Sequence, residues 1–260
     1  MTESAGGPLF VHAALQRVHG SLKTEVHSTA LEHLFIKSRR PSAYSVTSAA
    51  LTFSYGEIMT DDSGFTIGIL LFEDVEELDM AGPFEVFGVA LKSVPSGKLV
   101  TVSESGESLR CFNGLRVLPD YDFSDCPPLD MILVPGGMGT RTQVSNPKLI
   151  EWLADISSQC TWVTSVCTGS LLLSAAGQTE GRRITTHWAF AETLRELYPN
   201  TTVIENARYV CDENLVTAAG VSAGIDMSLW LVGQIWSIDL AQTTQRMMEY
   251  DPKPPYSLDS

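Results

Sequence analysis

Cys167 stands where a chain would place a nucleophile. The extended pattern Trp162-Val-Thr-Ser-Val166 runs straight into it, and the apolar helical stretch Ser170 to Ala176 follows after only Thr168 and Gly169. A strand that becomes a helix with almost no connector holds its corner residue in a tight, strained turn. Such a corner predicts a sulfur exposed at the sheet edge. It also puts the thiol at a helix N-terminus, where the dipole and free N–H groups favour thiolate. Small Gly169 and Ser170 leave room for a substrate. The plain alternative is a buried structural thiol; the strand–Cys–Thr–Gly–helix setting favours chemistry.

Five further residues could serve that thiol. Gly136 and Gly137 close the apolar run Met131-Ile-Leu-Val134 after Pro135. Glycine there permits positive φ and can aim N–H groups at a developing negative charge, although a simple turn would use the same residues. Asp79, in a segment crowded with acids, is flanked by Leu78 and Met80. That flanking predicts partial burial and a raised pKa, so that a protonated carboxyl could act as general acid; a helix cap or solvated acid is the ordinary reading. His187, within Thr185-Thr-His-Trp188, is the one histidine outside the N-terminal segment and so the only core partner for a Cys–His pair. A packed histidine beside Trp188 is equally consistent. Thr168, directly after the nucleophile, can donate a hydrogen bond but cannot act as a base at neutral pH.

The elements that must position these residues are legible from residue 65 onward. Phe65 to Phe72, Leu99 to Ser103, Met131 to Val134 and Trp162 to Val166 read as strands. Helical patterns cover Phe84 to Leu91, Pro147 to Ser158, Ser170 to Ala176, Trp188 to Leu197, Ser222 to Ile235 and Asp239 to Tyr250. Further β structure is expected over Leu109 to Leu118, turning at Asn113-Gly114, at Ile184 to Thr186, and in a pair, Val203 to Val210 with Leu215 to Ala218. Alternation of this kind predicts an α/β fold, a doubly wound sandwich with a mostly parallel central sheet. In such sheets ligands collect outside the carboxyl ends of the strands, which is where Cys167, the Gly136-Gly137 pair and the segment around Asp79 fall.

Residues 1–64 lack that alternation and end on Thr60-Asp-Asp-Ser-Gly64, so they read as a partly helical or disordered extension to a domain over 65–256. The extension is nearly neutral, while the rest holds twelve Lys/Arg against twenty-five Asp/Glu out of a total net charge of −14. A surface that acidic disfavours nucleic acid and anionic membranes as partners. No apolar run approaches the roughly 20 residues of a bilayer span, and Met1 to Gly7 lack the features of a secretory signal. Cysteines 111, 126, 160, 167 and 211 show neither metal spacing nor a disulfide framework. A reduced, cytoplasmic setting without metal is the expectation.

Taken together, Leu78-Asp-Met-Ala-Gly-Pro83, Val134-Pro-Gly-Gly137, Val163-Thr-Ser-Val-Cys-Thr-Gly169, Gly181-Arg-Arg-Ile-Thr-Thr-His-Trp188 and Gly220-Val-Ser-Ala-Gly-Ile-Asp226 resemble the ThiJ/PfpI superfamily. The likeness runs from about Thr66 to Tyr256. The resemblance implies a flavodoxin-like three-layer sandwich with a nucleophile-elbow cysteine, related to the class I glutamine amidotransferases. Within the superfamily the pattern is most similar to the isonitrile hydratases. Asp79 matches them where many members carry Glu, and Thr168 stands where the peptidases carry His. What the resemblance implies is hydration of an isonitrile to an N-substituted formamide, without cofactor, in a homodimer, with Cys167, Asp79 and Thr168 catalytic. Gly136, Gly137, Gly169 and His187 would then line the substrate or oxyanion site. Two other readings stay open: a non-catalytic ligand or redox sensor, and another cysteine hydrolase that uses His187.

Overall fold

The computed structural model describes residues 64–254. The expected extension before Gly64, with its histidines at 12, 19, 27 and 33, lies outside the described residues, as does the end of the expected domain. Strands β1 (Thr66–Leu70), β2 (Lys98–Ser103), β5 (Tyr121–Asp122), β6 (Met131–Val134), β7 (Trp162–Val166), β10 (Tyr209–Asp212) and β11 (Leu215–Ala218) form one sheet. Its order is β10-β11-β7-β6-β1-β2-β5, and every neighbouring pair is parallel except β10 with β11. Two short pairs stand apart from it: the antiparallel hairpin β3 (Leu109–Arg110) with β4 (Arg116–Val117), and parallel β8 (Arg183–Ile184) with β9 (Thr202–Val203).

The central strands are covered on both faces, which is why they read as unbroken apolar runs. All residues of β6 and β11, and all but the first of β1 and β7, are buried. Helices α1 (Glu77–Leu91), α6 (Ala223–Ile235) and α7 (Ile238–Met247) pack on one another. The short α2 (Thr140–Gln143), α3 (Pro147–Gln159) and α4 (Gly169–Ala175) form a second group. The start of α3 shows local chemistry at work. Asn146 accepts a hydrogen bond from the Leu149 N–H, and Pro147 occupies the first turn, where its missing donor costs nothing. The last helical layer is completed by a 3₁₀ turn, Trp188–Phe190, and α5 (Ala191–Leu197), where the sequence pattern predicts one continuous helix.

One boundary matters for function. The sequence places the first helix after Gly82-Pro83, but α1 begins at Glu77 and runs through Pro83. Proline removes the N–H that the Asp79 carbonyl would otherwise receive. The helix persists because Pro83, Val86, Phe87 and Ala90 all lie in the core. Tertiary burial thus overrides a local breaker, and it carries Asp79 inside with it.

The register brings the site together. Val134 of β6 pairs with Ser165 of β7, and Val166 pairs with Ala218 of β11. The three loops that leave these carboxyl ends, Pro135–Gly137, Cys167–Thr168 and Ala219–Val221, therefore meet above the middle of the sheet.

Candidate active site

Cys167 adopts φ = +56°, the left-handed region that non-glycine residues rarely enter. The neighbours over-determine it: its N–H donates to the carbonyls of both Ala218 and Ala219, at 3.1 and 2.9 Å. Its own carbonyl accepts from Thr186 Oγ1 at 3.0 Å and from Ser170 Oγ at 3.1 Å. The strained corner expected from the sequence is present. The expected exposure of the sulfur is not, since Cys167 is only 7% exposed.

Burial also corrects the expectation of a ready thiolate. The Cys167 pKa is pushed up to about 12, first by desolvation and then by the nearby Asp79 charge. The N–H groups of Thr168 and Val221 and the Arg141 guanidinium act in the opposite direction without prevailing. The helix that follows has seven residues, and a dipole that short does not outweigh the loss of water around sulfur.

Asp79 is fully buried in the first turn of α1, more deeply than its flanking residues predict. Oδ2 accepts the Gly136 N–H at 2.9 Å. Oδ1 is buried with no hydrogen-bond partner in the geometry, although the Cys167 thiol lies near enough to favour the ionised carboxyl. Desolvation dominates and pushes the Asp79 pKa up to about 7, with the Glu76 charge adding to the rise. The raised pKa expected from the sequence is therefore found, with burial as its cause.

The two glycines work differently from the open oxyanion donors expected. Gly136 N–H is taken by Asp79, and Gly137 N–H donates to Thr168 Oγ1 at 3.1 Å. Both donors face groups of the protein, so they position an acid and a hydroxyl. Gly136 has no room for a side chain: a Cβ there would lie 2.6 Å from Thr168 N and 2.8 Å from Asp79 Oδ2. Gly137 has φ = +123°, as a glycine at this turn should. Gly169 likewise serves close approach, because a Cβ would sit 2.0 Å from the Val134 carbonyl oxygen. It lets the first turn of α4 press onto the end of β6.

Thr168 sits in a dense set of contacts. Its Oγ1 receives the Gly137 N–H and, at 3.3 Å, Arg141 Nη1, and it lies 3.2 Å from Thr140 Oγ1. Thr168 Oγ1 is thus an acceptor on several sides, Thr140 Oγ1 included, and its hydroxyl hydrogen is left with only a long contact to the Gly137 carbonyl at 3.3 Å. Thr168 is set up to donate.

His187 is half-buried and does not pair with Cys167. Its Nδ1 accepts the Ala189 N–H at 3.3 Å and so caps the 3₁₀ turn. Its ring packs where a Gly220 Cβ would stand, 2.5 Å from Cδ2. Burial and the Arg141 charge lower its pKa, which keeps it neutral.

Two contributors escape the sequence reading. Val221, at φ = +41°, directs its N–H at the Cys167 sulfur. It lies inside Gly220-Val-Ser-Ala-Gly224, and a β-branched residue gives no hint of a left-handed backbone. Arg141 lies four residues after Gly137, so that its side chain leans back over the turn. Its Nη1 reaches Gly137 O at 2.8 Å and Thr140 Oγ1 at 3.0 Å, and its guanidinium lies 5.0 Å above the Phe190 ring. An arginine at a helix start, a place that favours acids, was the available signal. Among the described residues no group of His, Cys, Asp and Glu is arranged to hold a metal ion, and Cys111, Cys126, Cys160 and Cys211 are free thiols like Cys167.

The DJ-1/PfpI family model matches residues 66–234. Over 190 residues the chain is 40% identical to the isonitrile hydratase of Pseudomonas putida, spanning 73% of this chain and 80% of that protein. The HTH-type transcriptional regulator GbdR of Pseudomonas aeruginosa is 27% identical over 188 residues, 72% of this chain and 51% of the regulator. A ThiJ/PfpI family protein from Pseudomonas syringae superposes with a TM-score of 0.71 at 30% identity, covering 82% of this chain and 88% of its own.

Proposed function

The chain belongs to the DJ-1/PfpI family, and from that premise we propose that it hydrates isonitriles to N-substituted formamides with Cys167 as nucleophile. The observation that carries this reading is the buried Asp79 carboxyl beside Cys167, with Thr168 in place of a histidine. The pair can hold one proton between them. A carboxyl near 7 and a thiol near 12 describe a coupled unit whose singly protonated form prevails above neutrality. That form can present thiol with carboxylate or thiolate with carboxylic acid.

In the second arrangement sulfur attacks the terminal isonitrile carbon while Asp79 delivers its proton to the same carbon. A C–S bond and a C–H bond form, and one pair of the N≡C bond becomes a lone pair on nitrogen in a thioimidate. Asp79, now carboxylate, takes a proton from water as the oxygen adds to that carbon, and passes it to nitrogen. Collapse of the tetrahedral species breaks the C–S bond, releases the formamide and returns the hydroxyl proton to the Cys167–Asp79 pair. Thr168 donates to the charge that moves through the site, and covalent attachment divides one addition into two easier ones. No cofactor takes part. We place the enzyme in the cytoplasm as a homodimer, in keeping with the family resemblance.

The test is direct. Incubation with cyclohexyl isonitrile should yield N-cyclohexylformamide, with turnover lost in Cys167→Ala and reduced at least about a thousandfold in Asp79→Ala. Absence of formamide from both cyclohexyl isonitrile and isocyanoacetate with the intact protein would overturn the reading. The second reading, a ligand sensor, is favoured by the likeness to GbdR; it expects tight ligand binding with no turnover.

A further inference from the structure

Arg141 stands out as a partly buried cation with no ion pair among the described residues. Desolvation lowers its pKa, so the structure holds the cation at a cost. Every hydrogen bond it makes uses Nη1, and the acceptors are neutral: Gly137 O, Thr140 Oγ1 and Thr168 Oγ1. Arg182, by contrast, has Asp212 and Glu213; Arg195 has Glu205, and Arg208 has Asp226. Among the described residues Arg141 forms no ion pair, although the molecule carries a large excess of acids.

The groups beside it do not supply the missing anion. The Cys167 thiol is protonated in the resting site, and His187 is neutral. Meanwhile Nε and Nη2 make no hydrogen bond to a described residue. Nη1 is pinned to the Gly137 carbonyl and the Thr140 and Thr168 hydroxyls, and the guanidinium rests on the ring of buried Phe190. A planar cation held at one corner near Cys167, with its remaining edge unpaired among the described residues, has the form of a bidentate carboxylate receptor.

We propose that Arg141 binds a carboxylate on the substrate, and that short isocyano-carboxylates are the isonitriles this site prefers. This inference rests on the hydratase reading for its electrophile but not for its anion. The guanidinium anchors the acid end, and a short linker then brings the isonitrile carbon to Cys167 Sγ. Arg141 also keeps Thr168 oriented, so removal of the side chain weakens catalysis generally. The diagnostic quantity is therefore a ratio between charged and neutral probes, which general weakening does not move.

Two measurements test it. Formamide production from isocyanoacetate and from its methyl ester should give a kcat/KM ratio favouring the acid by at least about tenfold, a modest value for a partly desolvated charge pair. The ratio should fall at least tenfold in Arg141→Met and be largely kept in Arg141→Lys. Independently of turnover, Cys167 should be alkylated by iodoacetate faster than by iodoacetamide, sulfur displacing iodide in both cases. Exposed Cys211 in the same molecule, which lacks the subsite, supplies the reference ratio. Arg141→Met should bring the Cys167 ratio to that of Cys211. In the unaltered protein, N-formylglycinate should protect Cys167 from iodoacetamide, and N-formylglycine methyl ester should not. That last arm stands even if Arg141→Met fails to fold. Equal treatment of acid and ester, an alkylation ratio at Cys167 equal to that at Cys211, or no protection by the acid overturns the subsite. Charge-selective alkylation without formamide from any isonitrile would keep the subsite and discard the hydratase reading.

Discussion

At the residue scale, Asp79 makes opposite demands on stability and on chemistry. Its folded pKa, about 7, lies above its ordinary 3.8, so the native state holds more protons than the unfolded chain between those values. Its contribution therefore falls as pH rises from about 4 to about 7, by something on the order of 4 kcal/mol. Asp79→Asn keeps an oxygen for the Gly136 N–H and removes the charge. It should raise the melting temperature at pH 8 while leaving it nearly unchanged at pH 4, and it should abolish turnover. Thermal unfolding at both pH values checks this; an equal shift at each would remove Asp79 as the cause. The singly protonated Cys167–Asp79 pair also predicts that kcat/KM rises with pH through about 7 and holds to pH 9. A profile that falls above 7 would assign the proton differently.

At the scale of elements, the site depends on how closely α4, β6 and the Pro135–Gly137 turn approach one another. Gly169→Ala would drive a Cβ into the Val134 carbonyl, where both atoms are held by backbone and cannot swing aside. It should destabilise the protein by about 3 kcal/mol or more, measured by urea unfolding. Gly136→Ala would push on the Thr168 backbone N and on the Thr168 and Asp79 side chains, at 2.6 to 2.8 Å rather than the 2.0 Å met at Gly169. There the expected signature is loss of at least about tenfold in kcat with a smaller loss of stability. The sequence points to Gly136 and Gly137 for charge stabilisation and to Gly169 for substrate access. Their use in close packing and in orienting side chains depends on elements far apart in the chain, which no local pattern reports. The start of α1 was likewise illegible, because Pro83 breaks helices locally and only burial against the core overcomes that tendency.

For the whole molecule, the described residues from Thr66 onward supply a seven-stranded sheet and the candidate site at its carboxyl ends. Removal of residues 1–60 should leave turnover within about twofold and the cooperative unfolding transition intact, since the described strands, helices and site residues all fall within 66–247. Loss of either would show that the extension supports the fold. The net charge of −14 keeps polyanions away from such a surface and makes the retained cation at Arg141 the more conspicuous.

Position at a strand-to-helix corner marks Cys167 as a candidate, apolar neighbours mark Asp79, and the place directly after Cys167 marks Thr168. These follow from the sequence alone, because backbone period and turn geometry are local properties that local residue types encode. The tertiary structure decided what state those groups are in. Burial depth set the thiol near 12 and the carboxyl near 7, turned two glycine N–H groups inward, detached His187 from the nucleophile, and brought Arg141 and the Val221 N–H to the sulfur. Desolvation and charge proximity act through space between segments as distant as residues 79, 141, 167 and 221, and only the packed sheet fixes those separations.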